Sequence, residues 1–193
     1  MQTEFLLVRH AQSEWNAAGR WQGHADPPLS RLGRAQAQKL ALHLDAELRE
    51  ARVGRIICSD LKRAHETARI IARPLGLSPE PDARVREIDV GEWSGLTREE
   101  ISARDPETLA RFEAEELDVR PGGGETRAEL QARARTWMLE IARGAPGKRI
   151  VLVTHLGFVR ALVPGALPET ADFIWFHLSH EKSSDLSAAL FCA

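Results

Sequence analysis

The chain has 193 residues and a mass of 21.5 kDa, which is the size of one domain. Hydrophobic residues make up 43% of it, enough to bury a core without metal or disulfide crosslinks. The 26 basic and 28 acidic side chains give a formal net charge of -2, which excludes a basic nucleic-acid coat and an acidic disordered tail. Most of the basic residues are arginines, and arginine is the side chain that binds carboxylates and phosphates best.

The sequence predicts a soluble cytoplasmic protein. Two cysteines, Cys58 and Cys192, are too few for a disulfide framework and favour a reducing compartment. The first residues lack the basic and apolar segments of a signal peptide, and no apolar run is long enough to span a membrane. We therefore expect no nucleic-acid or membrane partner. A homodimer that pairs through the edge of a C-terminal strand is compatible with the sequence.

Strands and helices are predicted to alternate along the chain. Short apolar runs that suit strands lie at residues 4–10, 55–58, 85–88, 149–154, 173–178 and 186–191, the last two as a hairpin. Helices are predicted from Ser30 to about 49, from Ser59 or Asp60 to before Pro74, from Thr97, from Thr126 to Gly144, and over 157–163. This alternation predicts a three-layer α/β/α sandwich with a mainly parallel sheet. We expect a single domain over 1–193, with residues of about 90–125 as an insertion or lid.

Three predicted strands end at residues that suit chemistry. The carboxyl ends of parallel strands meet at one edge of a sheet, where such folds bind their ligands. Here the first strand ends at Arg9 and His10, the second leads into a helix whose first turn carries Arg63, and another ends at His155. Two imidazoles and two guanidiniums at one edge would form a cationic cup that fits a phosphoryl group.

Phosphoryl transfer also needs an acid, because an alkoxide is a poor leaving group. Glu87 lies at the end of the predicted strand 85–88 and is the candidate. For this role its pKa would have to be raised by burial or by a neighbouring anion.

These residues belong to five segments that follow one another in a recognisable order. The segments are Arg9-His10-Ala11 with Ser13 and Asn16; Gly23, Asp26, Pro28-Leu29-Ser30 and Gly33; Ser59 to Ala64 with Thr67 and Ala68; Glu87 with Gly91, Trp93 and Gly95; and Thr154-His155-Leu156-Gly157. In this order they resemble the motifs of the histidine phosphatase superfamily, the phosphoglycerate-mutase-like fold. The short chain resembles the small phosphatase branch of that family.

The resemblance implies a metal-independent phosphomonoester hydrolase with no cofactor, acting on a small phosphorylated metabolite through phosphohistidine. The implied catalytic residues are His10 as nucleophile, Glu87 as acid and base, and His155, Arg9 and Arg63 as ligands of the phosphoryl oxygens. The implied substrate-binding residues are Arg9, Arg63 and His155 together with Asn16, Gln22 and Gly23. No metal ligands are expected. Arg20 and Arg98 are further side chains that could reach a distal anion of the substrate.

One departure from the family pattern lies beside the nucleophile, where Ala11 replaces the usual glycine. If φ at this position is negative, the added methyl group has little effect. If φ is positive, it destabilises the backbone by about 1 kcal/mol or more.

Two other functions stay open at this point. A phosphoglycerate mutase would pass the phosphoryl group to a second hydroxyl, but the mutases of the family carry an adjacent arginine pair in a longer insertion. No such pair occurs in this sequence. A catalytically weak phosphate-binding relative is the third alternative, and Ala11 is its only support. The physiological substrate cannot be read from the residues.

Overall fold

The computed structural model describes residues 2–50 and 52–179. Its strands are β1 Gln2–Arg9, β2 Arg55–Cys58, β3 Pro79–Pro81, β4 Arg149–Thr154 and β5 Phe173–Ser179. Its helices are α1 Glu14–Ala17, α2 Arg31–Glu50, α3 Lys62–Leu75, α4 Arg98–Arg104, α5 Pro106–Glu113, α6 Arg127–Gly144 and α7 Leu156–Leu162. Short 3-10 turns occupy Ala83–Val85, Gly91–Trp93 and Pro121–Gly123. None of the helices in these ranges is both long and apolar enough to cross a membrane.

The five strands form one sheet in the order β3-β2-β4-β1-β5. The first four are parallel, and β5 pairs antiparallel with β1 at the edge. Arg9 at the end of β1 lies opposite Thr154 at the end of β4, and Cys58 at the end of β2 lies opposite Val153. The chain therefore leaves three adjacent strands at the same edge of the sheet, as the sequence predicts.

Two layers of helices cover the sheet because the strand side chains alternate between its faces. Phe5 and Leu7 of β1 are buried in a cluster that includes side chains of α6 and α7. Leu6 and Val8 are buried in a second cluster, with side chains of α2 and α3. Burial of each of these side chains stabilises the fold by roughly 2 kcal/mol. The predicted α/β/α sandwich with a mainly parallel sheet is confirmed.

The starts of the helices show which local sequence signals predict a helix cap correctly. The capping boxes at Thr97 and Thr126 are present, and the Thr126 hydroxyl accepts from the Glu129 N–H at 3.1 Å. Ser30 accepts from the Gly33 N–H at 2.9 Å, as a cap of α2 should. The prediction that Ser59 or Asp60 caps α3 is wrong. The Lys62 N–H instead donates to Asp26 at 2.6 Å, because a distant loop brings a carboxylate to this helix end.

The predicted strand at 85–88 is also wrong. Residues 83–85 form a 3-10 turn, and no strand follows it before α4. The fourth parallel strand is β3, whose prolines lack an N–H donor and so suit the edge position that β3 occupies. Helix α3 includes Pro74 in its last turn and ends at Gly76, which has a φ of 67°. The predicted strand at 186–191 lies outside the described residues.

Residues between the 3-10 turn at 91–93 and α6 contribute an aromatic cluster beside the carboxyl edge of the sheet. The Trp93 and Phe112 ring centroids lie 5.9 Å apart, and Trp21 lies 5.4 Å from Trp93 and 5.6 Å from Phe112. Edge-to-face packing of this kind stabilises aromatic clusters beyond their buried area. The cluster joins the segment after β1 to the segment predicted as a lid.

Candidate active site

A cavity of about 330 Å³ opens at the carboxyl edge of the sheet. Its lining includes most of the predicted site residues, namely Arg9, His10, Asn16, Gln22, Gly23, Arg63 and Glu87. The remaining predicted residue, His155, lies directly against His10 with ring centroids 5.0 Å apart. The structure therefore brings together all of the residues that the sequence assigns to the site.

The protonation state of His10 follows from its burial and from its contact with the Ala11 carbonyl. Its side chain is buried, and Nδ1 lies 2.7 Å from the Ala11 carbonyl oxygen. Because a carbonyl oxygen only accepts hydrogen bonds, Nδ1 carries the proton and Nε2 keeps its lone pair. Burial and the charge of Arg63 hold the pKa of His10 well below its usual value. The ring is therefore neutral at physiological pH.

His155 is fully buried, and within residues 2–50 and 52–179 neither of its ring nitrogens has a hydrogen-bond partner. Burial, followed by the charge of Arg63, lowers the pKa of His155 well below its usual value. A neutral imidazole has one N–H donor, and the surrounding protein does not use it. This donor is available to an anion bound beside His10.

Arg63 holds its position through the backbone of the loop after α1. Its Nη1 donates to the Ala25 carbonyl at 2.7 Å and its Nη2 to the Gly23 carbonyl at 2.9 Å. Burial lowers the pKa of Arg63 to about 10, which leaves the guanidinium charged at neutral pH. Arg9 is anchored in the same way, because its Nη1 donates to the Pro168 carbonyl at 2.9 Å.

Buried nitrogens without hydrogen-bond partners are concentrated at this cavity. Among the described residues they are the donor Nε atoms of Arg9, Arg63 and Arg127 and the two ring nitrogens of His155, one of which is a donor in the neutral ring. Each unsatisfied buried donor destabilises a protein by about 1–3 kcal/mol, so such atoms rarely cluster without a reason. The arrangement suits an anion whose oxygens accept from these donors.

Glu87 reaches the cavity from an irregular segment, where the sequence predicts a strand end. The Ile88 N–H donates to Oε1 at 2.9 Å, and the Gly157 N–H donates to Oε2 at 3.3 Å. A Cβ atom at position 157 would overlap Oε1, so the close approach requires glycine there. Arg133 fixes the segment by donating to the carbonyls of Arg84 at 2.7 Å and Arg86 at 3.1 Å.

Asn16 and Gln22 are oriented by one residue, Ser13, through its backbone N–H and its hydroxyl group. The Ser13 N–H donates to Asn16 Oδ1 at 3.1 Å, and the Ser13 hydroxyl donates to Gln22 Oε1 at 2.7 Å. With both amide oxygens occupied, each side chain has its NH₂ group left for a ligand. Gly23 has a φ of 46°, and its carbonyl is held by Arg63.

Ala11 causes no backbone strain. Its φ is not positive, and its N–H donates to the Thr67 hydroxyl at 3.1 Å. The methyl group is fully buried. The destabilisation expected for a positive φ therefore does not arise beside His10.

The cavity lining also includes residues outside the predicted site. They are Trp21, Ile88, Val90, Phe112, Arg127, Leu156, Gly157 and Arg160, together with Arg20, which the sequence offered for a distal anion. Arg98 does not line this cavity, because it pairs with Glu113 at 2.7 Å. Arg127 directly follows the capping residue Thr126, but nothing in that spacing indicates that its side chain enters a site. Within the described ranges, no group of three or more His, Cys, Asp or Glu side chains is arranged to hold a metal ion.

A neutral histidine pair, the buried Arg63 and the half-buried Arg9 at the carboxyl edge of a mainly parallel sheet define a class of α/β proteins whose site suits a compact anion. Residues 5–187 match the sequence model of the histidine phosphatase superfamily (branch 1), and the chain belongs to that family.

Sequence and structural similarity to named proteins covers most of the chain. Phosphoglycerate mutase-like protein 4 of Arabidopsis thaliana is 41% identical over 167 residues, which cover 86% of this chain and 71% of that protein. Phosphoserine phosphatase 1 of Hydrogenobacter thermophilus is 36% identical over 172 residues, covering 89% of this chain and 80% of that protein. The native structure of a mycobacterial glucosyl-3-phosphoglycerate phosphatase has a TM-score of 0.83 and 30% identity, covering 98% of this chain and 95% of that one.

Proposed function

We propose that this chain is a metal-independent phosphomonoester hydrolase that acts on a small phosphorylated metabolite through phosphohistidine. One observation carries the proposal: a neutral, buried His10 lies beside partnerless donors of Arg9, Arg63 and His155. The names of two relatives, a phosphoserine phosphatase and a glucosyl-3-phosphoglycerate phosphatase, support hydrolysis over mutase activity. The cavity volume of about 330 Å³ suits a small ester.

In the first step, Nε2 of His10 attacks phosphorus, and the bond from phosphorus to the ester oxygen breaks. Glu87 gives its proton to the departing oxygen, so the product leaves as an alcohol. Arg9, Arg63 and His155 donate hydrogen bonds to the phosphoryl oxygens, where charge is held in the transition state.

In the second step, water attacks the phosphohistidine and Glu87 takes a proton from it. The N–P bond breaks, inorganic phosphate is released, and His10 returns to its neutral form. The proton that Glu87 gave in the first step is thereby restored. The hydrogen bonds from Ile88 and Gly157 keep the carboxyl group in one place for both transfers.

The experiment is to incubate the protein with a ³²P-labelled phosphomonoester, quench it in alkali and map the label. We expect an alkali-stable label on the peptide that contains His10, and none in the His10→Ala variant. Label on the His155 peptide, or turnover without any labelled protein, would contradict the proposal. Release of one inorganic phosphate for each ester consumed separates a phosphatase from a mutase, because a mutase passes the group to a second hydroxyl.

Three further assignments stay predictions from the sequence. Residues 90–125 are assigned to a lid, and this is supported by Val90 and Phe112, which line the cavity. The protein is assigned to the cytoplasm. A homodimer that pairs through the edge of a C-terminal strand is compatible with the sequence. Crosslinking and size-exclusion chromatography test that last assignment.

A further inference from the structure

Arg127 lies at the end of the cavity formed by the aromatic cluster. It is the first residue of α6, and its guanidinium lies over the Phe112 ring with 4.1 Å from Cζ to the ring centroid. Its Nη2 donates to the Phe112 carbonyl at 3.1 Å, which fixes the plane of the group. Its Nε is buried without a partner, like the corresponding atoms of Arg9 and Arg63.

The other two arginines at this end of the cavity already have carboxylate partners. Nη1 of Arg20 lies 3.1 Å from Glu100 Oε2, and Arg160 pairs with Glu115. Over residues 2–50 and 52–179, no carboxylate lies within ion-pair distance of Arg127. This positive charge lines a cavity, is held in one plane and has donors to spare.

The surroundings of Arg127 select a planar anion of single charge. A guanidinium presents a flat fork of N–H donors that matches the two oxygens of a carboxylate. The neighbouring walls at Phe112 and Trp21 are aromatic and suit the carbon skeleton of a small molecule. A second phosphate with two charges would need more than one unpaired cation, and Arg127 stands alone here.

We infer that Arg127 is a specificity-determining residue that binds a carboxylate of the substrate while His10 receives its phosphoryl group. The inference rests on the proposed function and narrows it to phosphomonoesters that carry a carboxylate within the length of one small cavity. Both charged ends of such a substrate would meet cations, and its apolar middle would lie against the aromatic cluster.

The test compares two esters that differ only in this group, 3-phosphoglycerate and glycerol 3-phosphate. We expect kcat/KM to favour 3-phosphoglycerate at least tenfold in the wild-type protein. In Arg127→Met the preference should fall at least tenfold. Arg127→Lys keeps the charge without the flat fork and should lie between the two. The matched control is Arg98→Met, which removes an arginine outside the cavity and should keep the wild-type preference.

Two results would overturn the inference. One is a wild-type protein that does not distinguish the esters, and the other is an Arg127→Met variant that loses both activities in equal proportion. If the wild type releases phosphate from no ester, including p-nitrophenyl phosphate, the proposed function fails instead. Calorimetric binding of the two esters to His10→Gln, with and without Arg127→Met, then still decides whether Arg127 recognises the carboxylate.

Discussion

The two ends of the cavity are built in different ways. At the phosphoryl end, His10, Arg63 and His155 are each at most 2% exposed. They lie at strand ends or in a first helical turn, and backbone carbonyls hold two of them. At the distal end, Arg20 and Arg160 have side chains 39% and 24% exposed, and surface carboxylates hold them.

We expect this difference in anchoring to separate the residues that act in the reaction from those that select the substrate. A buried side chain held by backbone carbonyls cannot move without disturbing the residues packed around it. Exposed ion pairs are each worth only about 0–1 kcal/mol, so the distal end can change with little effect on the fold. Substitutions at the phosphoryl end should therefore affect every substrate, whereas those at the distal end should affect substrates according to the groups they carry.

Among the variants that test the difference between the two ends of the cavity, Glu87→Gln should have the largest effect on kcat/KM. The amide cannot give up a proton, so kcat/KM for glycerol 3-phosphate should fall about 10²–10³-fold. For p-nitrophenyl phosphate the loss should be less than about tenfold, because its leaving group needs little protonation. Steady-state kinetics on both esters measure the difference.

If the two ends of the cavity act independently, the loss of kcat/KM in Glu87→Gln should not depend on the substrate group that lies at the distal end. Glu87→Gln should thus lower kcat/KM for 3-phosphoglycerate by the same factor as for glycerol 3-phosphate. Glu115→Gln, which changes the carboxylate that holds Arg160, is the control and should show no dependence on the leaving group. An equal loss on p-nitrophenyl phosphate would remove Glu87 from the role of acid.

A smaller effect is expected from Gly157→Ala. The new methyl group overlaps Glu87 Oε1 and must displace the carboxyl group. A displacement of about 1 Å commonly lowers turnover 10–100-fold, and the loss should again be greater for glycerol 3-phosphate. The stability of the fold should not fall, because alanine is the better helix residue by about 1 kcal/mol.

Gly144→Ala is the matched control for that variant. Gly144 also lies in a helix, and a Cβ atom there would meet nothing within 4 Å. Its kinetics should equal those of the wild type. If the two variants behave alike, the contact between Gly157 and Glu87 does not position the acid.

Sequence reasoning succeeded at the phosphoryl end for a physical reason. His10 and His155 follow short apolar runs that suit buried strands, and parallel strands present their carboxyl ends together. The residue order alone therefore brought the two histidines close. The five-segment resemblance added Asn16, Gln22 and Gly23, which no periodicity would have found.

Sequence reasoning failed where the position of a side chain depends on contacts between distant parts of the chain. The cap of α3 comes from Asp26, and Glu87 is placed by hydrogen bonds from Ile88 and Gly157. Arg127 has the sequence context of an ordinary surface arginine at a helix start. In the fold its guanidinium lies over the Phe112 ring at the cavity, and no local sequence pattern encodes this contact.

The phosphoryl end should also make the fold less stable between pH 7.5 and pH 5. The folded pKa values of His10 and His155 are depressed well below 6.5, so both rings stay neutral in the folded protein as pH falls. Below pH 6.5 the unfolded chain binds protons at these positions and the folded protein does not. The free energy of unfolding should therefore decrease as pH falls from 7.5 to 5, by up to about 1.4 kcal/mol per pH unit for each histidine.

His155→Gln removes one of these proton sites from the unfolded chain. Its free energy of unfolding, measured with urea, should decrease less steeply below pH 6.5. The slope against pH should be smaller by the contribution of one proton, up to about 1.4 kcal/mol per pH unit. Identical slopes for His155→Gln and the wild type would mean that His155 takes up protons in the folded protein, and the neutral pair beside the phosphoryl group would then have to be abandoned.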